Sequence, residues 1–155
     1  MLKILVFSDS HGCLSGMEEA VGREQPDLIF HLGDYVRDYA QLRCLFPQIP
    51  GVSLAGNCDF AAQEPVQVLT EEGGVRIFAC HGHTYQVKSG LLRLKLAAKE
   101  KGADLCLFGH THAGFCEKAD GIWFLNPGAS GGGWHRTYGV VTIADGEASC
   151  WLRTL

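Results

Sequence analysis

The sequence predicts an α/β fold in which two β-sheets stack as a β-sandwich flanked by helices. The first third of the chain alternates short apolar runs with stretches of helical periodicity, an order that implies parallel strands joined by right-handed crossovers. The remainder carries hairpin signals, among them the turn dipeptide Asp145-Gly146. A length of 155 residues suffices for one substantial core but not for two ordinary domains, so residues 1–155 are predicted to form a single domain.

Three apolar strands separated by two helices account for the first third. The first strand is short and apolar without alternation, which is typical of a buried strand, and a proline follows each helix. These elements are predicted at residues 2–7, 14–24, 28–32, 36–46 and 52–55, with Pro26 and Pro47 as the helix stops.

In the middle of the chain a hairpin signal replaces the alternation of strands and helices. Residues 71–74, Glu-Glu-Gly-Gly, predict a hairpin turn between strands at 66–69 and 75–80. The best helix pattern covers residues 88–101 and ends at Gly102, with broad burial expected of Leu91, Leu92, Leu94, Leu96, Ala97 and Ala98. Further strands are predicted at 104–108, 122–125, 138–144 and 147–152.

Composition excludes several classes of protein. Hydrophobic content of 46% and charged content of 19% are those of a globular chain, and no apolar run approaches the 18 or so residues that a membrane span needs. The N-terminus resembles no leader peptide because Asp9 and His11 interrupt its apolar run, so we expect a cytoplasmic protein. The sequence leaves a homo-oligomer open.

Net charge limits the possible binding partners, and cysteine usage indicates the redox state of the thiols. A net charge of −4 argues against extended nucleic acid, which requires a basic face, whereas a small phosphate ester remains compatible if metal ions supply positive charge. The seven cysteines are an odd number without any Cys-x-x-Cys pair, which favours reduced thiols over a disulfide framework or a zinc knuckle.

Seven polar side chains fall just beyond apolar runs, where open α/β sheets place their ligand sites, and most stand beside a glycine that permits a tight turn. They are Asp9, His11, Asp34, Asn57, His81, His110 and His112. Asp9 and His11 would leave an extended segment on the same side and could face one ion. The mixture of oxygen and nitrogen donors suits Mn²⁺, our first choice, or Fe²⁺, Ni²⁺, Co²⁺ or Zn²⁺ better than Ca²⁺. Two ions about 3.5–4 Å apart, bridged by one carboxylate, would use all seven and could hold a hydroxide for attack on phosphorus.

Five blocks in this order resemble the calcineurin-like metallophosphoesterase superfamily, and the short length and the third block are most similar to its small YfcE-type phosphodiesterases. The blocks are Asp9-x-His11, Gly33-Asp34, Gly56-Asn57, His81-Gly82 and Gly109-His110-Thr111-His112. The resemblance implies that Asp9, His11, Asp34 and His112 hold the first metal ion, that Asp34 bridges, and that Asn57, His81 and His110 complete the second. Residues 126–128, Asn-Pro-Gly, resemble a segment that closes beside the site, although they are equally typical of an ordinary turn after a strand.

One departure from the family bears on the reaction. Many members carry histidine after the metal-binding asparagine, where it can protonate the leaving oxygen, but this chain has Cys58. A thiol of ordinary pKa is a poor substitute, so we expect hydrolysis of small phosphodiesters and weak activity on monoesters. The predicted catalytic residues are Asp34, Asn57, His110 and Cys58, with Asp59 considered as a substitute acid.

Two other functions compete with a dinuclear phosphodiesterase. The retromer subunit of the same fold is similar to these enzymes and works through protein contacts, but a scaffold would be expected to have lost some ligands. A nuclease should show a basic groove, which the acidic balance disfavours. Among the other histidines, His83 and His135 could contact substrate or be ordinary loop residues, whereas His31 is expected to be packed or to support a ligand.

Overall fold

A computed structural model describing residues 1–155 shows two mixed five-stranded sheets packed face to face, with three α-helices on the outside. The strands are β1 (Leu2–Phe7), β2 (Leu28–His31), β3 (Gly51–Ser53), β4 (Gln67–Glu72), β5 (Val75–Cys80), β6 (Leu105–Leu107), β7 (Phe115–Ala119), β8 (Ile122–Asn126), β9 (Thr137–Ala144) and β10 (Glu147–Thr154). The helices are α1 (Leu14–Glu24), α2 (Val36–Leu45) and α3 (Leu92–Glu100). The predicted fold class is confirmed.

Parallel pairing brings strand ends together. The first sheet has the order β10-β9-β1-β2-β3, in which β1, β2 and β3 are parallel and Phe7 lies opposite His31. The second has the order β4-β5-β6-β8-β7, in which β5, β6 and β8 are parallel. The segments that follow these parallel strands carry the predicted ligands.

Apolar side chains fill three layers of core. Ile4 and Val6 of β1 point between the sheets, whereas Leu5 and Phe7 point to the helix side, where Met17 packs. On the second sheet, strand β5 likewise divides its side chains between the central core and the layer under α3. Strands covered on both faces need apolar residues at every position, which explains the unbroken apolar runs.

The sequence prediction missed strand β7. This strand pairs with β8 through a two-residue turn at Asp120-Gly121, and both turn residues have positive φ, 51° and 77°. Asp-Gly favours this type of hairpin turn, so the signal was present in the sequence. The β4-β5 hairpin is also tighter than predicted, because β4 continues to Glu72 and leaves only residues 73–74 in the turn.

Helix α3 is shorter than predicted. Residues 87–89 form a separate 3₁₀ turn, and the α-helix begins only at Leu92. The expected broad burial was wrong, because Leu92 and Leu96 are 70% and 59% exposed, whereas Leu94 and Ala98 are buried. Only one stripe of a helix lying on a sheet can be buried, and here that stripe is narrow.

The helices α1, α2 and α3 are all too short, or too polar, to cross a membrane.

A buried carboxylate at the end of α1 gives a stability prediction. Glu24 accepts hydrogen bonds from Tyr138 Oη at 2.9 Å and from Lys3 Nζ at 3.4 Å, and it forms an ion pair with Arg153, whose Nε lies 3.0 Å from Glu24 Oε1. Burial works to raise the pKa of Glu24, but the hydrogen bond from Tyr138 and the two cations outweigh it and lower the pKa below its usual 4.5. The ionised carboxylate therefore stabilises the folded state above about pH 4.5, and this contribution is lost as the pH falls through the lower folded-state pKa.

We expect Glu24→Gln to lower the free energy of unfolding by about 2 kcal/mol at pH 7, the scale of a hydrogen bond to a charged group. The difference from the wild type should shrink at pH 3. Urea unfolding at both pH values measures it, with Glu19→Gln as the control, because Glu19 pairs with Arg23 on the exposed face of the same helix. An equal loss at both pH values would contradict the assignment.

Candidate metal centre

The predicted ligands meet at one edge of the sandwich. Asp9, Asp34 and Asn57 follow the parallel strands of the first sheet, and His81 and His110 follow β5 and β6 of the second. Because the strands of each group run in the same direction, their ends lie side by side and both sheets contribute to one rim.

The first four residues form a tight group. One donor atom from each of Asp9, His11, Asp34 and His112 lies within 4.8 Å of all the others. His112 Nε2 is 3.4 Å from His11 Nε2 and 3.3 Å from Asp9 Oδ1. Two imidazole nitrogens and two carboxylates at this spacing form a candidate site for a divalent cation.

A second group surrounds His81 and shares Asp34. His81 Nδ1 donates to the Leu32 carbonyl oxygen at 2.9 Å, and burial lowers the pKa of His81 to about 4, so the ring is neutral. Its Nε2 therefore carries a lone pair, which faces Asn57 Oδ1 at 3.0 Å and Asp34 Oδ1 at 3.6 Å. The His110 ring lies edge-on to His81, with 5.1 Å between centroids. His81 Nε2, Asn57 Oδ1 and Asp34 Oδ1 thus present lone pairs to one another, and such a group of acceptors suits a cation.

Asp9 supplies the clearest test of whether a cation fits. Its Oδ2 accepts hydrogen bonds from Ser8 Oγ at 2.7 Å and from the His110 amide at 3.2 Å. Its Oδ1 is buried and has no hydrogen-bond donor. Burial, reinforced by the charge of Asp34, raises the pKa of Asp9 to about 6. An unpaired carboxylate oxygen inside the protein is costly, and a bound cation would satisfy it.

The backbone at these positions differs from the extended form that was expected. Strand β1 ends at Phe7, and Asp9 and His11 adopt the left-handed region with φ of 55° and 46°. The side chains therefore converge because of loop geometry and not because of strand alternation. Asp34, His110 and His112 also have positive φ, between 61° and 71°. Non-glycine residues rarely adopt this region unless the surrounding structure holds them there.

Glycines next to the ligands permit close approach of the loops. A Cβ on Gly33, where φ is +108°, would lie 2.5 Å from the Gly56 amide nitrogen. A Cβ on Gly109 would lie 2.1 Å from Ser8 Oγ. Larger residues at these two positions would push apart the segments that carry Asp9 and Asp34.

Asp59 holds two of these loops together, a role that the sequence did not reveal. Its Oδ2 accepts the amides of Asp34 and Gly56 at 2.7 and 2.8 Å, and its Oδ1 accepts those of Tyr35 and Val36 at 2.7 and 2.9 Å. The carboxylate thus fixes the Asp34 turn and the start of α2. Because four backbone donors engage both oxygens, Asp59 is not placed to act as an acid, contrary to the role considered for it.

Asp38 supports the first loop in the same way. Its Oδ2 accepts hydrogen bonds from Ser10 Oγ and from the Gly12 amide, both at 2.7 Å. Ser10 Oγ also lies 3.0 Å from His31 Nε2, so His31 is a buried supporting residue, as expected.

Asn126 supports the loop that carries His110 and His112. Its Nδ2 donates to the Gly109 carbonyl oxygen at 3.1 Å and to Thr111 Oγ1 at 2.9 Å. The start of the Asn-Pro-Gly segment therefore lies beside the site and holds one of its loops.

The remaining histidines lie at the rim. The His83 ring is 5.3 Å from that of His81 and 6.1 Å from that of His110, and its buried Nδ1 has no partner. His135 is exposed and lies with His112 beside a cavity of about 430 Å³.

The sandwich fold carries a candidate site for divalent cations at one edge. Residues 2–147 match the model of the calcineurin-like phosphoesterase superfamily domain, and the chain belongs to this superfamily. The resemblance seen in the five motifs is thereby confirmed.

Two relatives illustrate the range of similarity. The probable metallophosphoesterase YsnB of Bacillus subtilis is 34% identical over 131 residues, which cover 83% of this chain and 75% of that protein. Phosphodiesterase MJ0936 of Methanocaldococcus jannaschii is 25% identical over 146 residues, which cover 82% of this chain and 83% of that protein.

Solved structures share the whole fold. A predicted phosphoesterase from Streptococcus pneumoniae superposes with a TM-score of 0.76 at 28% identity and covers 98% of both chains. Vps29 of Entamoeba histolytica, solved in complex with Zn²⁺, superposes with a TM-score of 0.79 at 16% identity and covers 99% of both chains. At that identity the Vps29 likeness concerns the fold alone.

We expect Asp59→Asn to weaken Mn²⁺ binding by about tenfold or more, the usual cost of losing a group that orients a ligand. The amide leaves one oxygen to accept, so the Asp34 turn and the start of α2 lose part of their support. Calorimetric titration with Mn²⁺ measures the effect. Asp104→Asn is the control, because Asp104 also accepts a backbone amide, that of Arg76, away from this edge. Equal Mn²⁺ affinity in Asp59→Asn and the wild type would show that Asp59 does not position the ligands.

Proposed function

We propose that this chain is a dinuclear-metal phosphodiesterase that hydrolyses small phosphodiesters and acts weakly on monoesters. The observation that carries the proposal is that two groups of candidate ligands lie side by side and share Asp34. The first group is complete with four donors, and the second places His81 Nε2 within 3.6 Å of acceptors on both Asn57 and Asp34. A single-ion site would not need the second group.

The proposed division of ligands is the one that the family resemblance implies, and the two groups of side chains support it. Asp9, His11, Asp34 and His112 would hold the first ion, and Asp34, Asn57, His81 and His110 would hold the second. Mn²⁺ is our first choice and Fe²⁺, Ni²⁺, Co²⁺ and Zn²⁺ are alternatives, since imidazole and carboxylate together suit these metals. When bound, two such ions neutralise phosphate charge and make water a nucleophile at neutral pH.

The side chains of this protein prepare the site for that chemistry. The Cys58 amide donates to Asp34 Oδ1 at 2.9 Å and, although burial acts in the opposite direction, holds the pKa of Asp34 below its usual value. Asp34 is therefore ionised and able to bridge. The Leu32 carbonyl fixes the His81 ring, and burial lowers the pKa of His110, so both imidazoles are neutral and able to act as ligands.

The preference for diesters rests on Cys58. Its thiol is exposed beside Asn57, and partial burial together with the negative charge of Asp34 raises its pKa. A thiol whose pKa is raised gives up its proton reluctantly, so leaving groups that need little protonation are favoured. The name phosphodiesterase of the Methanocaldococcus relative supports the same substrate class. The seven free thiols support a reducing compartment such as the cytoplasm.

A non-catalytic scaffold is the second candidate, favoured by the similarity of fold to Vps29. Metal binding does not separate the two functions, because a Vps29 has been crystallised with Zn²⁺. Turnover of a diester does separate the enzyme from the scaffold. The complete set of seven donors supports the enzyme.

We expect Asp34→Asn to remove one equivalent of bound Mn²⁺ and to lower diester turnover by more than about a hundredfold. Mutation of residues that merely support metal ligands already lowers metal affinity or activity by about 10- to 100-fold. Metal content and hydrolysis of bis(4-nitrophenyl) phosphate by the reconstituted chain are the measurements. Asp27→Asn, which changes a carboxylate bonded to the Lys3 amide, is the control. Undiminished hydrolysis in Asp34→Asn would refute the dinuclear assignment, and a wild type without turnover would favour the scaffold.

A histidine at position 58 should supply a general acid next to the candidate metal centre. We expect Cys58→His to raise the kcat for an alkyl monoester, whose leaving oxygen needs a proton, by about tenfold or more, given that general acids typically contribute about 10²- to 10⁴-fold. Cys44→His is the matched control, because Cys44 is an exposed cysteine on α2. Monoester turnover that stays level or falls in Cys58→His would count against the proposed role of this position.

A further inference from the structure

A cleft of about 470 Å³ lies beside the candidate metal centre, on the side of Asp34 and Asn57. Tyr35 and Cys58, the residues that follow these two ligands in the chain, both border it, and the Tyr35 ring stands edge-on to that of His11, with 5.1 Å between centroids. A group attached to phosphorus at the metal centre would therefore reach the cleft directly. Its volume falls within the range of small-molecule sites.

The walls of the cleft are aromatic and apolar. Phe60 borders it with 89% of its surface exposed, and Tyr35 and Val36 form another part of the wall. The guanidinium of Arg37 lies 5.5 Å from the centroid of the Tyr35 ring, which places a positive charge against that ring. Two aromatic side chains around an open space favour a planar group that can stack.

The one carboxylate in the wall is already engaged by backbone donors. Asp59 borders the cleft, but each of its oxygens accepts two backbone amides. The cleft thus lacks a free charged acceptor, and a guest would be retained by stacking area and by the Arg37 charge.

The cavity on the opposite side of the centre is different in character. It lies beside His112 and includes His135 and Arg153, with no Phe, Tyr or Trp in its wall. The larger aromatic rings, those of Tyr35 and Phe60, therefore lie on the Cys58 side.

We propose that the cleft formed by Tyr35, Arg37, Cys58 and Phe60 binds a planar aromatic arm of the phosphodiester substrate, either an aryl group or a nucleobase, with Phe60 as the specificity-determining residue. This inference rests on the proposed function, since the phosphorus-bearing part of the substrate must lie at the metal centre.

Two phosphonates that differ only in their arm test the proposal. The full chain, reconstituted with Mn²⁺, is titrated by calorimetry with phenylphosphonate and with methylphosphonate. The wild type should bind phenylphosphonate about tenfold more tightly, the scale of stacking on one aromatic side chain. In Phe60→Ala the ratio of the two affinities should fall to about two or less, and Phe60→Tyr should restore it.

Leu92→Ala is the matched control, because it removes an exposed hydrophobic side chain on α3, remote from the cleft, and should keep the wild-type ratio. Equal affinities in the wild type, or an unchanged ratio in Phe60→Ala, would overturn the cleft proposal while leaving the phosphodiesterase assignment standing. If neither phosphonate binds and no diester is hydrolysed, both proposals fail.

Discussion

Parallel pairing within each sheet is the constraint on which the candidate centre depends. Because β1, β2 and β3 run in one direction, the segments after them start from one edge, and β5 and β6 deliver two histidine-bearing segments to the same rim. Residues that are up to 103 positions apart in the chain, from Asp9 to His112, thereby place donor atoms within 4.8 Å of one another. The two sheets must pack tightly for this to happen, and the shared apolar core between them provides that packing.

The loops at this rim have unfavourable backbone conformations, and polar side chains behind them hold those conformations in place. Asp38 and Asp59 accept backbone amides from the loops of the first sheet, and Asn126 bonds to the loop of the second. These bonds satisfy the supporting residues but leave Asp9 Oδ1 without a donor. The protein therefore stabilises an acceptor-rich group that a cation would complete.

Sequence patterns predicted the strands of the first third, the fold class and the edge at which the candidate ligands meet. They could do so because apolar periodicity, and the succession of strands and helices along the chain, can be read from local sequence. They did not predict how Asp9 and His11 converge, since left-handed backbone at a non-glycine residue depends on contacts with distant segments. The role of Asp59 was also invisible, because its four amide partners lie in two loops that only the folded chain brings together. Strand β7 was missed although Asp120-Gly121 marked its turn, and the exposure of Leu92 and Leu96 depends on how α3 lies on the sheet.

Anomalous diffraction from crystals grown with Mn²⁺ tests the central claim most directly. The account predicts two peaks, one among Asp9, His11, Asp34 and His112 and the other among Asp34, Asn57, His81 and His110, with Asp34 in contact with both. A single peak, or peaks that leave Asn57 and His81 without a metal contact, would contradict a shared two-ion centre.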